Sequence, residues 1–227
     1  FPTRRSSDLI VAPRPSTESS LLMNITISGY RDNLGFGFIA CRRSVPALQR
    51  MLDYGCQYIG LGGLVGTARR TRQQWLDRIW NQHLTNEDGT PKVKVHGFGM
   101  TTVDHIFRYP WFSVDSTSWL QSTANGMILM PQKRDGQFVF DCSPYTINVS
   151  TGNDKSTEEG KHIDSMPDYM VDAVAEWLSL CGKTIAQVKE HYSHRGVVNA
   201  TFFRMVSESA GTTKLNKGRL SQSTLFE

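Results

Sequence analysis

The sequence has few cysteines, and none of them are closely spaced. Its four cysteines are Cys41, Cys56, Cys142 and Cys181. None of them is at the C-x-x-C spacing of a zinc ribbon or in the dense pattern of a disulfide scaffold. The pattern therefore indicates neither kind of framework and predicts free thiols in a reducing cytoplasm.

Long apolar runs, a secretion signal and a strong charge of one sign are also lacking. No stretch approaches the roughly 18 apolar residues of a membrane span, and the chain does not open with a signal peptide. Lys and Arg number 25 against 21 Asp and Glu, a formal net charge of +4. Such a balance is compatible with a nucleic-acid partner without requiring one. We expect a cytoplasmic protein that does not contact a membrane.

The beginning of the chain is unusual. Its first residue is Phe1, and residues 1–9, FPTRRSSDL, look like a translated sequencing adapter. This predicts a fragment whose natural sequence continues upstream; a processed or disordered amino terminus is the alternative. Residues 1–30 are expected to be disordered or artefactual.

Apolar runs alternate with amphipathic segments from residue 35 onward. Runs typical of buried strands occupy 35–41, 57–61, 92–98 and 111–115. Helices are predicted at 44–54, 71–84 and 103–107. This alternation implies parallel βα units. A whole (β/α)8 barrel has eight strands and about 250 residues, so the predicted fold class is α/β, the second half of a TIM-type barrel.

The pattern changes after Ser116. Residues 126–130 and 137–142 predict a hairpin around a turn at 133–136, and helices are expected at 167–180 and 185–207. The predicted organisation is a partial barrel over 31–145, a helical region over 146–212 and a flexible tail over 213–227.

Candidate reactive groups follow the predicted strands, because parallel α/β folds place them at the carboxyl ends of strands. The backbone of Gly62 and Gly63 could approach a base edge or a phosphate closely, although tight strand–helix packing also favours glycine. Asp115 could act as a nucleophile, a general base or a metal ligand, or else cap a helix. His96 ends the third strand and is either structural or part of a site.

Two further groups suit nucleic acid. Arg69, Arg70 and Arg72 could hold phosphates or simply begin a solvated helix. Three aromatic residues could stack on bases or pack in the core: Tyr109, Trp111 and Trp119.

Three of these strand ends, taken together, form a pattern that can be compared with a known family. They are GLGGLVG (60–66), VHGFGM (95–100) and RYPWFSVDSTSW (108–119). In order and spacing they resemble the tRNA-guanine transglycosylase superfamily. The approach to V-D-S through Tyr109-Pro110-Trp111 is more similar to the phage-type enzymes that place 7-deazaguanine bases in DNA. A weaker likeness reaches His194, Arg195 and Asn199.

The resemblance implies a pentosyltransferase that exchanges guanine for a 7-deazaguanine derivative in DNA by double displacement, in a bacterial or phage-infected cell. It assigns the nucleophile to Asp115 and base contacts to Gly62, Gly63 and Leu64. His96 and Gly97 would line the base pocket. The residues expected to hold the nucleic-acid backbone are Arg69, Arg70, Arg72 and Arg195.

Some features of the superfamily have no counterpart here. Its further aspartates belong to the first half of its barrel, Ala40-Cys41 stands about where it has a glutamine, and its zinc motif is missing. We therefore predict no metal and no cofactor, and expect this chain to be inactive by itself. Three alternatives stay open: a tRNA-specific transglycosylase, a barrel enzyme whose glycine loop holds a phosphate, and a non-catalytic nucleic-acid-binding remnant.

Overall fold

The computed structural model describes residues 25–26, 36–40, 45–64, 66–100, 102–115, 117–152 and 162–218. They belong to two compact units. The described residues within 1–100, 108–115 and 212–227 form the sheet unit, and those within 101–107 and 116–211 form the helical unit. The described residues form a mixed α/β structure whose sheets are small, and none of the sheets within these residues closes into a barrel.

The sheet unit is built on one five-stranded sheet. Its strands are β1 (Ile25–Thr26), β2 (Phe36–Ala40), β3 (Tyr58–Gly62), β4 (Lys94–Gly97) and β5 (Ser113–Val114). They lie in the order β1-β5-β4-β3-β2, and β2 to β5 run parallel as predicted. The short β1 pairs antiparallel with β5 and gives its outer edge a partner. The expectation of disorder over 1–30 is therefore wrong for Ile25 and Thr26; the rest of that range lies outside the described residues.

Helices follow the strands in the sequence. They are α1 (Val45–Asp53), α2 (Arg69–Ile79) and α3 (Val103–Arg108), each close to its predicted position. Beyond Ile79 the chain continues as a π-helical turn, Trp80–Leu84. The three predicted helices are confirmed, with differences at their ends.

Aromatic side chains pack together in the core of the sheet unit. Trp80 is fully buried. Its ring stacks on Tyr109, with centroids 6.0 Å apart, and meets Trp111 edge-on at 5.2 Å. Tyr109 also donates its hydroxyl to Asp77 Oδ1 at 2.7 Å. Tyr109 and Trp111 are therefore core residues, and the suggestion that they stack on bases is wrong.

Successive residues of the strands face opposite sides of the sheet. Ile59, Leu61, Val95 and Val114 lie on one face and are fully buried. The register pairs Gly60 with His96 and His96 with Ser113, so these three residues share the other face. The sheet thus has one apolar face and one face that carries polar side chains.

The predicted flexible tail is partly fixed. Leu215 is buried and donates its amide to the carbonyl of Gly89 at 2.9 Å. Lys214 pairs with Asp88 at 2.9 Å. Gly89 has φ +84°, and a Cβ there would lie 2.3 Å from the Leu215 carbonyl oxygen. Residues 214–215 therefore belong to the sheet unit, since a buried apolar side chain and a backbone hydrogen bond hold them.

The helical unit, which includes most of α3, continues with α4 (Ser118–Ala124), a helix that the sequence pattern did not predict. Four strands follow: β6 (Met127–Met130), β7 (Gln132–Arg134), β8 (Gln137–Val139) and β9 (Tyr145–Asn148). The predicted turn joins β7 and β8, with Asp135 and Gly136 at positive φ. β6, however, pairs with β9 and not with the 137–142 segment. Pro131 separates β6 from β7 because it lacks the amide that would continue the ladder.

Three helices complete this unit: α5 (Asp168–Leu180), α6 (Ile185–Glu190) and α7 (Tyr192–Ser209). The single helix predicted at 185–207 is wrong, because His191 has an extended backbone and separates α6 from α7. The described residues of the helical unit lie within 101–107 and 116–211, whereas the sequence pattern placed the boundary at 145. No helix of the described residues is long and apolar enough to cross a membrane.

Candidate active site

Asp115 directly follows β5 at the carboxyl end of the parallel sheet. Its amide donates to the Gly97 carbonyl at 3.1 Å, and its carbonyl accepts from the Met100 amide at 2.9 Å. The side chain is 19% exposed. Asp115 does not cap a helix, because α4 begins at Ser118 and Thr117 occupies its cap position. The backbone thus holds this carboxylate at a strand end where it is open in part to solvent.

One carboxylate oxygen is fixed by the loop after β4. The Gly99 amide donates to Asp115 Oδ1 at 2.8 Å. Gly99 has φ +67°, a conformation that other residues adopt at a cost. Asp115 Oδ2 receives no hydrogen bond from any residue that the structure describes. The two oxygens therefore differ: Oδ1 is held and Oδ2 is available.

His96 lies beside this carboxylate on the polar face of the sheet. Its Nε2 is 3.8 Å from Asp115 Oδ1, which is beyond hydrogen-bonding distance. Its Nδ1 lies 2.7 Å from Ser113 Oγ. The residue is 6% exposed, and its ring packs edge-on against Phe98 at 4.4 Å. The imidazole is thus held between a hydroxyl and a carboxylate.

Tyr58 extends this chain of polar groups from β3. Its hydroxyl is 2.6 Å from Ser113 Oγ. Gly60, which pairs with His96, has no side chain on the face that Tyr58 and Ser113 share. The Tyr58 ring also meets Phe112 edge-on at 5.3 Å. We call Tyr58, His96, Gly99, Ser113 and Asp115 the Asp115 cluster.

Burial keeps the two titratable neighbours of Asp115 uncharged. Desolvation lowers the pKa of His96, and the nearby Asp115 carboxylate opposes that effect. Desolvation raises the pKa of Tyr58; the Ser113 hydrogen bond opposes this, and Asp115 adds to it. Near neutral pH the phenol of Tyr58 and the imidazole of His96 are therefore neutral.

The glycine loop lies at the carboxyl end of the neighbouring strand. Gly62 is the last residue of β3 and is buried, whereas Gly63 is exposed with φ +72°. The Leu64 side chain is 2% exposed, so in this conformation it is part of the core. A ligand at this loop would meet the backbone of Gly62 and Gly63.

Gly97 does not line the face on which His96 lies. A Cβ added to Gly97 would lie 3.0 Å from Met100 Cβ and 3.0 Å from Trp111. Both neighbours are buried core residues. The structure therefore places Gly97 against the apolar side, and the expectation that it shares a base pocket with His96 is corrected.

The four predicted phosphate contacts have different environments. Arg69 and Arg70 are exposed at the start of α2. Arg72 is half-buried and donates to the Thr67 carbonyl at 3.2 Å. Arg195 is 6% exposed in the helical unit and donates to the carbonyls of Val188, Lys189 and Thr123. Its guanidinium is enclosed and hydrogen-bonded to the backbone, which favours a structural role, and the backbone-binding role of Arg195 stays a prediction.

Sequence reasoning missed three members of the cluster: Tyr58, Gly99 and Ser113. A signal existed for Ser113, which is two residues before Asp115 and therefore shares its face of the strand. A second signal was the alternation of Tyr58, Gly60 and Gly62 along β3. Gly99 donates through its backbone, so only its place in the H-G-x-G segment pointed to it.

Among the described residues no group of three or more His, Cys, Asp or Glu side chains could hold a metal ion, and the described cysteines, Cys56, Cys142 and Cys181, are free. Comparisons with known protein families, curated proteins and solved structures find no match for this chain.

Proposed function

We propose that this chain belongs to a base-exchanging transglycosylase, in which Asp115 is the nucleophile that replaces guanine in DNA by a 7-deazaguanine base. The four parallel strands would be the second half of a TIM-type barrel. The observation that carries the proposal is the Asp115 carboxylate, which lies at a strand end with Oδ1 fixed by the Gly99 amide. Barrel enzymes place their catalytic groups at this end of the strands.

The chemistry requires a carboxylate with one oxygen that can reach the sugar C1′. In the first step Asp115 Oδ2 attacks the sugar C1′, the bond from C1′ to guanine N9 breaks, and its electron pair leaves with the base. In the second step the incoming base, deprotonated at N9, attacks C1′ and returns the electron pair to Asp115. Two displacements retain the configuration at C1′, as base exchange demands.

Neighbouring groups support binding of a base and of a nucleic-acid backbone. The backbone of Gly62 and Gly63 would meet the edge of the flipped base, and His96 would lie beside it. Arg69 and Arg70 are exposed at the start of α2 and suit phosphate contacts. DNA is favoured over tRNA by the Tyr-Pro-Trp approach to Asp115, which resembles the phage-type enzymes.

A duplex containing one 7-methylguanine tests the nucleophile by itself. This base is a cation when attached to the sugar, so it leaves without being protonated. Residues beyond the described cluster are then not needed as general acid. We expect a denaturation-resistant protein–DNA adduct, with the added mass on the peptide that contains Asp115. Asp115→Asn should abolish it, while the matched variant Asp53→Asn on α1 should form as much adduct as the wild-type chain.

Two results would count against the proposal. An adduct that persists in Asp115→Asn, or that maps to a lysine, would show that the carboxylate is not the nucleophile. Salt-dependent duplex binding without any adduct would favour the nucleic-acid-binding remnant.

A further inference from the structure

We infer that Tyr58 and Ser113 are positioning residues that hold His96 as the neutral tautomer with its proton on Nε2, so that this N–H faces Asp115 Oδ1. The inference rests on the proposed function for the role of Asp115. The inference goes beyond the proposed function because it assigns a positioning role to two residues that contact neither the base nor the sugar.

Ser113 is the residue from which the argument starts. Its Oγ lies 2.6 Å from the Tyr58 hydroxyl and 2.7 Å from His96 Nδ1, and the residue is 5% exposed. A serine hydroxyl has one proton to donate. It therefore donates to at most one of these two neighbours, and its two lone pairs can accept from the other or from both.

Three proton arrangements satisfy this rule. In the first, Tyr58 donates to Ser113 and Ser113 donates to His96 Nδ1, which leaves the imidazole proton on Nε2. In the second, His96 Nδ1 donates to Ser113 and Ser113 donates to Tyr58, which leaves a lone pair on Nε2. In the third, Tyr58 and His96 Nδ1 both donate to Ser113, which again leaves a lone pair on Nε2.

The Asp115 carboxylate selects the first arrangement. Nε2 is 3.8 Å from Asp115 Oδ1. At that distance an N–H dipole is attracted to the carboxylate and a nitrogen lone pair is repelled by it. Burial strengthens this preference, because the side chain of His96 is 8% exposed and little water screens the interaction. Burial also lowers the pKa of His96, which disfavours a doubly protonated ring.

The consequence concerns the two carboxylate oxygens. Gly99 N–H and His96 Nε2–H both face Oδ1. They restrict rotation of the Asp115 carboxylate group, so that Oδ2 remains the attacking atom. In the second displacement they stabilise the charge that returns to Asp115 as the bond to C1′ breaks. No proton is transferred by His96, Ser113 or Tyr58 in either step.

Nitrogen-15 NMR of the labelled full chain tests the tautomer directly. The two ring nitrogens of a neutral histidine have distinct shifts that tell which one is protonated, and loss of signals in His96→Gln assigns the resonances. We expect wild-type His96 to show a protonated Nε2 and an unprotonated Nδ1. Ser113→Ala should give a mixture of tautomers, because Nδ1 then loses its donor. Ser113→Thr, which keeps a hydroxyl, should restore the wild-type pattern, and Ser179→Ala, an exposed serine on α5, should leave it unchanged.

Two outcomes overturn the inference: a wild-type His96 protonated on Nδ1, or a Ser113→Ala spectrum identical to that of the wild type. Both hold whether or not Asp115 reacts, because the NMR measurement needs no substrate. Where the 7-methylguanine adduct forms, Ser113→Ala should form it about tenfold more slowly. That factor corresponds to one hydrogen bond of about 1.4 kcal/mol. An unchanged rate with a changed tautomer would contradict the inference and leave the proposed nucleophile intact.

Discussion

The two units bury polar side chains in different ways. In the helical unit, Asn199 is fully buried and accepts the Leu129 amide through Oδ1 at 2.7 Å. Its Nδ2 donates to Thr123 Oγ1 at 2.9 Å and to the Met127 carbonyl at 3.1 Å. Together with the guanidinium of Arg195 these contacts form what we call the Asn199 cluster. In the Asp115 cluster of the sheet unit, by contrast, side chains bond mainly to one another and end at a partly exposed carboxylate.

The difference separates a structural role from a chemical one. Most partners in the Asn199 cluster are backbone groups of α4, β6 and α6, so its hydrogen bonds join elements of the fold. The links from Tyr58 through Ser113 to His96 join side chains only. They secure the orientation of groups around Asp115, whose Oδ2 receives no hydrogen bond from the described residues. A buried polar side chain in this protein is thus best interpreted by what it bonds to.

The largest expected effect on stability comes from breaking the Asn199 cluster. Asn199→Ala leaves the buried Leu129 amide and Met127 carbonyl without this partner, and we expect it to lower the free energy of unfolding by about 3 kcal/mol. Urea denaturation measures the loss. Asn81→Ala, an exposed asparagine, is the matched control and should change stability little. A small loss in Asn199→Ala would mean that the cluster does not hold α4, β6 and α7 together.

Arg195→Met should cause the next largest loss of stability. It removes donors to the carbonyls of Val188 and Thr123 while keeping the length of the buried stem, at an expected cost of about 2 kcal/mol. Duplex binding should keep the same dependence on salt, since an enclosed guanidinium releases no counterions. A reduced salt dependence would support Arg195 as a phosphate contact and weaken the contrast between the units.

Gly97→Ala sharpens the comparison within the sheet unit, because Gly97 and His96 are neighbours that face opposite sides of β4. The new methyl group would press on Met100 and Trp111, and we expect a loss of about 1–2 kcal/mol from overpacking. Thermal unfolding measures it. The His96 tautomer should not change; a changed tautomer would show that the two faces of the strand are coupled.

The smallest expected effect is the pH dependence contributed by His96. Because burial lowers its pKa below the ordinary value of about 6.5, the unfolded chain takes up this proton at a higher pH than the folded chain does. Its contribution to stability is present above about pH 6.5 and is lost as pH falls through the folded pKa. The difference in Tm between wild type and His96→Gln should therefore narrow on acidification. A difference that widens would mean that Asp115 outweighs burial.

Sequence reasoning predicted the parallel strands well and the helical unit less well. The strands at residues 58–62 and 94–97 are short and each ends in glycine, a local pattern that the sequence shows directly. The pairing of β6 with β9 depends on Pro131, which interrupts the ladder, and on contacts that are distant in the sequence. The extended backbone at His191 likewise has no marker such as proline or glycine, so the two helices were predicted as one.

The members of the candidate site that act through side chains and lie at strand ends could be predicted from the sequence. Asp115 and His96 were found in this way, and the structure places them 3.8 Å apart. The enclosure of Arg195 could not be predicted, because charge alone does not tell whether a guanidinium is enclosed. Gly97 was misjudged because an adjacent residue on a strand faces the opposite side, a rule that requires the strand register to be known.

The hydrogen bond from Gly99 to Asp115 has a consequence for mutational mapping. Its donor belongs to the peptide backbone, so an alanine scan through the side chains of the cluster never removes it. Replacing Gly99 itself changes the backbone conformation as well as the donor, and the two effects are confounded. Replacing the amide of residue 99 by an ester removes the N–H and keeps the glycine, although it also weakens the preceding carbonyl as an acceptor and places an oxygen opposite Asp115 Oδ1. A protein assembled by chemical ligation can therefore test this backbone hydrogen bond, which side-chain substitution does not remove.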